Sequence, residues 1–329
     1  MLVEAVCTFP SNDYSSHAKY SNFVCTQDNH KPFSVLSASY STEVPLTMVV
    51  RMPSVAGSWY AGTPALLRKQ IEDCFLHSIG VKRIPKVNLK GTRKIIGLVC
   101  PHAGYSYSGP IAANSFSALA EDGAPEVVVI LGPNHTGMGS GLSIMVDGKW
   151  RTPLGEIEID SVIAHRIADR SNIIDIDEKA HLSEHSLEMQ VPFLQYLYGQ
   201  NIKIVPICMM MQDLDSSRDV GKTLATSLEG KNAIIIASTD LSHYEPYQRA
   251  LDKDSEAIKE ILRLDEEGLM RAVTQSNISM CGSGPVASCI IASKSLGAHK
   301  ATLLRYSTSG DISGEMGAVV GYASIAIEK

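Results

Sequence analysis

Three histidines follow closely on three predicted buried strands. Strand 94–100 leads to His102, strand 126–131 to His135, and strand 233–237 to His243. In open α/β sheets, the loops after the carboxyl ends of parallel strands carry side chains into a common crevice. Neutral imidazole is the commonest protein ligand for transition metals such as zinc, copper, iron and nickel. The spacing therefore predicts a shared metal site at this edge of the sheet.

Two further residues are candidates for the same site. Asp240 stands three residues before His243, where a carboxylate could bind the metal, orient a histidine, act as a base, or only cap the turn. Cys281 lies in a glycine-rich turn ahead of a helix predicted to begin at Pro285. The positive end of that helix dipole is expected to lower the pKa of the thiol towards a metal-binding thiolate. The alternative for Cys281 is a small apolar residue in a turn.

A competing constellation lies in residues 181–185. His181, Glu184 and His185 match the inverted zincin pattern H-x-x-E-H. On one helix the two histidines would share a face, and Glu184 would be the general base for a zinc-bound water. Alternatively, Ser183 begins a capped helix over 183–200, which would leave His181 outside it. The pattern by itself leaves both interpretations open.

Short apolar runs alternate with helical patterns along most of the chain. The predicted strands cover 94–100, 126–131, 202–207, 233–237, 303–306 and 318–327. The predicted helices cover 109–120, 183–200, 215–229 and 248–263, with one more after Thr63-Pro64 and another from Pro285. This alternation predicts an α/β fold with a largely parallel central sheet and helices on both faces.

The first 47 residues differ from the rest of the chain. They are rich in Ser, Tyr, Asn and Thr and show no helical or strand period. We expect a disordered N-terminal extension or a mis-assigned start, with Met48 or Met52 as the true first residue. Residues 48–329 show no repeat and no low-complexity linker, which favours a single α/β domain.

Composition limits the functional class. The chain has 329 residues and a net charge of −6, which argues against a nucleic-acid partner. No run of about 18 apolar residues predicts a membrane span, and the N-terminus lacks the pattern of a secretion signal. The seven cysteines are widely spaced without a CxxC pair, so we expect reduced thiols and a cytoplasmic protein, rather than a disulfide scaffold or a zinc ribbon.

Six ordered motifs resemble those of the Memo family over about residues 52–327. They are Ala56-Gly57-Ser58-Trp59-Tyr60, Pro101-His102-Ala103-Gly104-Tyr105, Leu131-Gly132-Pro133-Asn134-His135, Glu184-His185-Ser186-Leu187-Glu188-Met189, Ser238-Thr239-Asp240-Leu241-Ser242-His243 and Cys281-Gly282. The resemblance implies a fold like that of the class III extradiol ring-cleavage dioxygenases, with a metal pocket at the end of the central sheet.

The resemblance also implies roles for particular residues. By that resemblance His102, His135 and Cys281 would bind iron or copper. Asp240 and His243 would line the pocket, with His243 as the acid/base group. The motifs place the remaining pocket candidates around these five, namely Trp59, Tyr105, Asn134, Glu184 and His185.

The cysteine departs from the dioxygenase pattern. Those enzymes hold Fe(II) with two histidines and a carboxylate, whereas Cys281 takes the third place here. A thiolate is softer and favours copper(I) or zinc, and it can itself be oxidised. Ring cleavage therefore does not follow from the resemblance.

Three functions stay open at this point. The first is a metal-dependent oxidoreductase that uses O₂, with His243 moving protons. The second is a non-catalytic module that binds a small molecule or a peptide in the same pocket. The third is a zinc peptidase built on His181, Glu184 and His185.

Overall fold

The computed structural model describes residues 49–90 and 93–329, so the prediction for residues 1–47 lies outside the described residues. The described strands are β1 Val50–Arg51, β2 Ile95–Cys100, β3 Val127–Pro133, β4 Leu142–Ile144, β5 Lys149–Thr152, β6 Gly155–Ile159, β7 Asp175–Ile176, β8 Lys203–Met209, β9 Ala233–Ser238, β10 His243–Glu245, β11 Lys300–Thr308 and β12 Val319–Glu328. The described helices are α1 Pro64–Leu76, α2 Gly109–Asp122, α3 Ser161–Arg170, α4 Val191–Tyr198, α5 Leu214–Leu228, α6 Tyr247–Leu262, α7 Glu266–Gln275, α8 Ser283–Ser295 and α9 Ser309–Ser313.

The described strands form one large sheet with a parallel centre. Strands β6, β8, β3, β9 and β2 lie side by side in that order, and each neighbouring pair is parallel. The pairs that flank this centre, β5 with β6 and β12 with β2, are antiparallel. Every residue of β2 and β3 is buried, as expected for apolar parallel strands covered on both faces.

Helices flank the sheet and bury its apolar faces. Helix α2 packs on β2 and β12 and is itself covered by α1 and α4, while α8 packs on β9, β2 and β3 and is covered by α5 and α7. The predicted fold class, a mixed α/β fold with a central sheet flanked by helices, is confirmed. No helix in the described part of the chain is long and apolar enough to cross a membrane.

The predicted helix over 183–200 is wrong in its first half. Residues 182–187 form a loop, Glu188–Gln190 is a short 3₁₀ helix, and α4 begins only at Val191. Pro192 fits the first turn of α4, where a missing N–H has no cost. The hydrophobic periodicity also did not reveal strands β4 to β7, which are only two to five residues long.

The parallel centre of the sheet determines where the candidate residues emerge. Strands β2, β3 and β9 end at Cys100, Pro133 and Ser238, on the same edge of the sheet. His102 and His135 follow the first two strands within two residues. Asp240 follows the third, and His243 begins β10. The topology therefore brings the three segments that carry candidate residues to one edge.

Strand β2 lies very close to helix α8 at Gly97. A β-carbon at this position would stand 2.7 Å from both Cys289 Sγ and Ser293 Oγ. We therefore expect Gly97→Ala to lower the free energy of unfolding by about 1–3 kcal/mol through overpacking, measured by urea denaturation. The matched control is Gly317→Ala, because a β-carbon there meets nothing within 4 Å. Equal stability of the two variants would contradict this account of the packing.

Candidate metal centre

Two imidazoles and one thiol converge from three distant parts of the chain. His102 follows β2, His135 follows β3, and Cys281 precedes α8. Their potential ligand atoms all lie within 4.8 Å of one another, and His102 Nε2 is 3.3 Å from Cys281 Sγ. Ligands bound about 2.0–2.3 Å from one ion stand roughly 3–4 Å apart. The spacing and the donor types therefore fit a transition-metal ion.

The Cys281 thiol is held beside the loop that follows β9. The backbone N–H of Asp240 donates a hydrogen bond to Cys281 Sγ at 3.3 Å. Burial, aided by the nearby Asp240 carboxylate, raises the pKa of the thiol well above its usual range. The expected lowering by the helix dipole is therefore wrong for the metal-free protein, because desolvation outweighs it. A cation bound at the sulfur would reverse this balance, since a coordinating thiol loses its proton.

Glu184 holds His135 through two hydrogen bonds. The backbone N–H of His135 donates to Glu184 Oε2 at 2.5 Å, and the His135 Nδ1 atom lies 2.9 Å from Oε1. Burial favours the neutral acid, but the bonds from His135 and from the backbone N–H of Ser186 outweigh it and lower the pKa of Glu184 to about 2. An ionised carboxylate only accepts, so Nδ1 carries the proton and Nε2 is left free to bind a metal.

His102 sits deeper than His135. It is 2% exposed, and its Nδ1 atom lies 2.9 Å from Ser238 Oγ. Burial and then the neighbouring His185 and His135 rings lower the pKa of His102 well below its usual value. The imidazole is therefore neutral at neutral pH, which is the form that binds metals.

Asp240 and His243 lie beside these groups. Asp240 is buried and accepts a hydrogen bond of 2.9 Å from the backbone N–H of His102. Burial raises the pKa of Asp240 to about 6, with the His102 N–H bond and the charge of His243 acting against that rise. His243 is half-buried, and its Nδ1 lies 2.8 Å from the Ser279 carbonyl oxygen, which leaves Nε2 free. His243 does not belong to the group of close ligand atoms formed by His102, His135 and Cys281.

His185 and Trp59 form an aromatic wall next to the histidines. The His185 ring stacks on the His135 ring with centroids 4.5 Å apart and meets the Trp59 ring at 4.3 Å. Burial lowers the pKa of His185 to about 4, so this ring is also neutral at neutral pH. Trp59 is 38% exposed, which places it at the rim. His135, Glu184 and His185 form a second group of close potential ligand atoms.

The polar groups of Tyr105 and Asn134 form hydrogen bonds with backbone groups and not with His102, His135 or Cys281. The Tyr105 hydroxyl donates to the Met189 carbonyl at 2.7 Å, and its ring packs against Phe193 in the core. Asn134 Oδ1 accepts the backbone N–H groups of Thr136 and Gly137, which shapes the loop that carries His135. Both residues support the site from outside it.

His181 is separated from the other histidines. It ends a 3₁₀ helix, and its ring packs edge-on to Trp150 with centroids 6.0 Å apart. The ring is fully buried, and neither nitrogen has a hydrogen-bond partner within the described residues. Because the 3₁₀ helix ends at His181 and residues 182–187 belong to no helix, the one-helix arrangement that a zincin needs is absent from residues 181–185.

A buried ion pair, which the sequence patterns did not reveal, anchors the loop that carries Glu184 and His185. Arg51 contacts the Glu188 carboxylate, donates to the Glu184 carbonyl at 2.7 Å, and lies over the Trp150 ring. The Tyr60 hydroxyl donates to Glu188 at 2.6 Å. Arg51 and Glu188 are 137 positions apart, so no local pattern could have paired them.

Comparisons with known proteins agree on one family. A family model described as "Memo-like protein" matches residues 51–326. A MEMO1 family protein from Methanopyrus kandleri is 49% identical and covers 85% of this chain and 99% of its own length. Another, from Methanocaldococcus jannaschii, is 51% identical with the same coverage of both chains.

One solved structure is also similar, at lower similarity. It is an uncharacterized protein from Escherichia coli K12, with a TM-score of 0.46 and 15% identity over 70% of this chain and 99% of that chain. This likeness is too weak to bear on function.

The buried ion pair predicts a pH-dependent loss of stability. Burial by itself would raise the pKa of Glu188, but Arg51 and the hydrogen bonds from Ser54 and Tyr60 together lower it. A lowered carboxyl pKa stabilises the fold above the ordinary value near 4.3, and this stabilisation is lost as the pH falls. We expect Glu188→Gln to cost about 3 kcal/mol at pH 7, because it leaves the buried Arg51 charge uncompensated, and less near pH 3.

Urea denaturation across this pH range measures the effect, and Asp73→Asn is the control. Asp73 forms an exposed pair with Lys69, so its loss should cost less than about 0.5 kcal/mol. A Glu188→Gln deficit that stays constant down to pH 3 would show that the carboxylate charge is not the source.

Proposed function

We propose that this chain, which belongs to the Memo-like protein family, holds one transition-metal ion through His102, His135 and Cys281. The observation that carries the proposal is the convergence of two imidazoles and a thiol, whose ligand atoms lie within 4.8 Å. Cys281 lies 179 positions from His102 in the chain, so the fold itself brings the thiol to the histidines. Their polar neighbours support the same role, because Glu184 leaves the Nε2 atom of His135 free.

We propose iron or copper as the bound metal, with zinc as the alternative. Imidazole is a ligand for all three metals, and thiolate favours the softer ions. When bound, iron or copper would supply the one-electron chemistry that O₂ requires. We therefore propose a metal-dependent oxidation as the reaction class, with the substrate a small molecule that enters beside Trp59.

Asp240 and His243 are the groups that we propose for proton transfer. Burial raises the pKa of Asp240 to about 6, close to the range in which a carboxyl can both accept and give up a proton. His243 Nδ1 donates to the Ser279 carbonyl, so the free Nε2 atom can take a proton from a substrate. Neither side chain is needed to complete the three-ligand set, which leaves both available as acid/base groups.

A non-catalytic binding module is the second candidate. It is favoured by the partly exposed Trp59 ring, which together with His185 offers an aromatic surface at the rim. A small molecule or a peptide could bind there without turnover. The zinc-peptidase interpretation gains no such support, because among the described residues His181 belongs to neither group of close ligand atoms.

Two general expectations accompany the proposal. We propose a cytoplasmic protein, which is consistent with five cysteines that are free thiols within the described residues. We also propose that residues 48–329 act as a single Memo-like domain.

Removing any one ligand should abolish tight metal binding. We expect His102→Ala, His135→Ala and Cys281→Ser, each in the full chain, to weaken iron(II) and copper(I) binding by more than about 100-fold, beyond the effect of losing an orienting residue. Elemental analysis after anaerobic purification, followed by competitive titration, measures this. The matched control is His165→Ala, because His165 is an exposed histidine beside Asp147. Full metal retention in all three variants would refute the site.

Substitution of His243 distinguishes catalysis from simple ligand binding. We expect His243→Gln to retain the metal but to slow O₂ consumption by roughly 10²–10⁴-fold, the usual contribution of a general acid/base group. An oxygen electrode measures uptake by the iron- or copper-loaded protein with catechols and thiols. If the wild-type protein consumes no O₂ with any of them, the binding module becomes the better account. Unchanged uptake in the variant would remove His243 from the mechanism.

A further inference from the structure

We propose that Ser238 and Gln190 are positioning residues that set the ring tautomer of His102, so that its Nε2 atom presents a lone pair to the metal. This inference rests on the proposed metal site and names two residues that determine how well the site binds. It follows from counting donors and acceptors along one buried chain of hydrogen bonds. The chain runs from two backbone carbonyls through Gln190 and Ser238 to His102.

The orientation of the Gln190 amide is determined by its neighbours. Its Nε2 atom lies 3.0 Å from the Pro101 carbonyl oxygen and 2.8 Å from Ser238 Oγ. A carbonyl oxygen only accepts, so the atom facing Pro101 must be the NH₂ group. The flipped amide would place two oxygen atoms against each other at this distance. Gln190 therefore donates one hydrogen bond to Pro101 and one to Ser238.

The Ser238 hydroxyl has a single proton to donate. Its Oγ atom lies 2.7 Å from the Ser186 carbonyl oxygen, which can only accept, so that proton must point to Ser186. One of the two lone pairs on Oγ accepts the hydrogen bond from the Gln190 amide. The remaining lone pair faces His102 Nδ1 at 2.9 Å. Ser238 is therefore an acceptor towards the histidine.

This count leaves one tautomer for His102. Its Nδ1 atom must carry the proton that Ser238 accepts, so Nε2 has none. Nε2 is the atom that lies 3.3 Å from Cys281 Sγ, at the proposed metal position. The opposite tautomer would need the Ser238 proton at Nδ1. The Ser186 and Ser238 oxygen atoms would then face each other without a hydrogen between them, and a proton on Nε2 would block the metal.

Burial excludes other hydrogen-bond partners for these groups. Ser186, Gln190 and Ser238 are fully buried, and His102 is almost so. Few water molecules can reach these groups to offer other partners, so each polar atom depends on the bonds described. The Oε1 atom of Gln190 has no partner within the described residues, an unfavourable arrangement that the NH₂ bonds must outweigh.

The two imidazole ligands are therefore oriented by different chemistry. His135 is held by a charged carboxylate, and His102 by a neutral hydroxyl whose direction two residues enforce. Replacing Ser238 by alanine removes the one acceptor that the described residues offer to His102 Nδ1. The proton should then move to Nε2, where the Cys281 sulfur accepts it.

Nitrogen NMR tests the tautomer directly. In the metal-free full chain labelled with ¹⁵N-histidine at neutral pH, long-range ¹H–¹⁵N correlation distinguishes a protonated ring nitrogen from an unprotonated one. Comparison with His102→Gln assigns the signals. We expect a protonated Nδ1 and an unprotonated Nε2 in the wild-type protein, the reverse in Ser238→Ala, and a mixture in Gln190→Met, which removes the amide at nearly constant volume.

Zinc(II) titration of the same proteins measures the consequence. We expect Ser238→Ala to weaken zinc binding about 10–100-fold, as for other residues that orient a ligand, and Gln190→Met to weaken it less. Ser115→Ala is a matched control, because this buried serine donates to the Val99 carbonyl and forms no hydrogen bond with a histidine of the described residues. Gln195→Met is the control for the glutamine change, since Gln195 is bonded to Thr152 and Gly155. Both controls should keep the tautomer and bind zinc within about twofold of wild type.

The outcomes separate this inference from the proposed function. A wild-type spectrum with a proton on His102 Nε2 overturns the inference even if Ser238→Ala fails to fold. A folded Ser238→Ala protein that keeps the wild-type tautomer and affinity also overturns it. If the tautomer is as expected but the wild-type chain binds none of zinc, iron or copper, the tautomer assignment stands and the proposed metal function fails.

Discussion

The buried segment 184–190 is the constraint on which the geometry of the site depends. Four of its polar side chains and one of its backbone carbonyls bond to different parts of the chain. Glu184 holds the His135 ring, and the Glu188 carboxylate accepts a hydrogen bond from Arg51. The Ser186 hydroxyl donates to the Pro133 carbonyl, and the Gln190 amide donates to the Pro101 carbonyl. The Met189 carbonyl accepts a hydrogen bond from the Tyr105 hydroxyl. These partners lie at the ends of β2 and β3 and in the N-terminal segment. Gly132 allows the close approach, since a β-carbon there would stand 2.6 Å from Ser186 Oγ.

This arrangement makes the two imidazoles unequal as candidate ligands. His135 shares its Nδ1 proton with an ionised carboxylate, which increases the basicity of Nε2 and stabilises a nearby positive charge. His102 shares its proton with a neutral hydroxyl in a fully buried network and gains no such charge. With a thiolate at Cys281, the negative charge around a cation would lie on the sulfur, on Glu184 beside His135 and on the ionised form of Asp240 beside His102. The charge distribution, and not only the ligand identities, therefore depends on segment 184–190.

The sequence predicted what depends on local pattern. Buried apolar runs located β2, β3, β8 and β9 within about two residues, and parallel topology then required His102 and His135 to meet. The role of segment 184–190 could not be predicted, because its hydrogen-bond partners are distant in the chain. The segment also forms a loop and a short 3₁₀ helix where the sequence pattern predicts an α-helix. The raised pKa of Cys281 could not be predicted either. The helix that follows the cysteine can be recognised from the sequence, whereas the burial of the sulfur cannot.

The burial of the candidate ligands also determines from which side a small molecule can reach them. His102 is 2% exposed, whereas a third of the His135 side chain is exposed, so the open side lies towards His135 and the adjoining His185 and Trp59 rings. A substrate and a merely bound ligand would therefore meet the same aromatic wall, and contacts there do not separate an enzyme from a binding module. The proton-transfer roles proposed for Asp240 and His243 do separate them, because a buried carboxyl with a raised pKa and an imidazole that can accept a proton would be needed for catalysis and not for ligand binding alone.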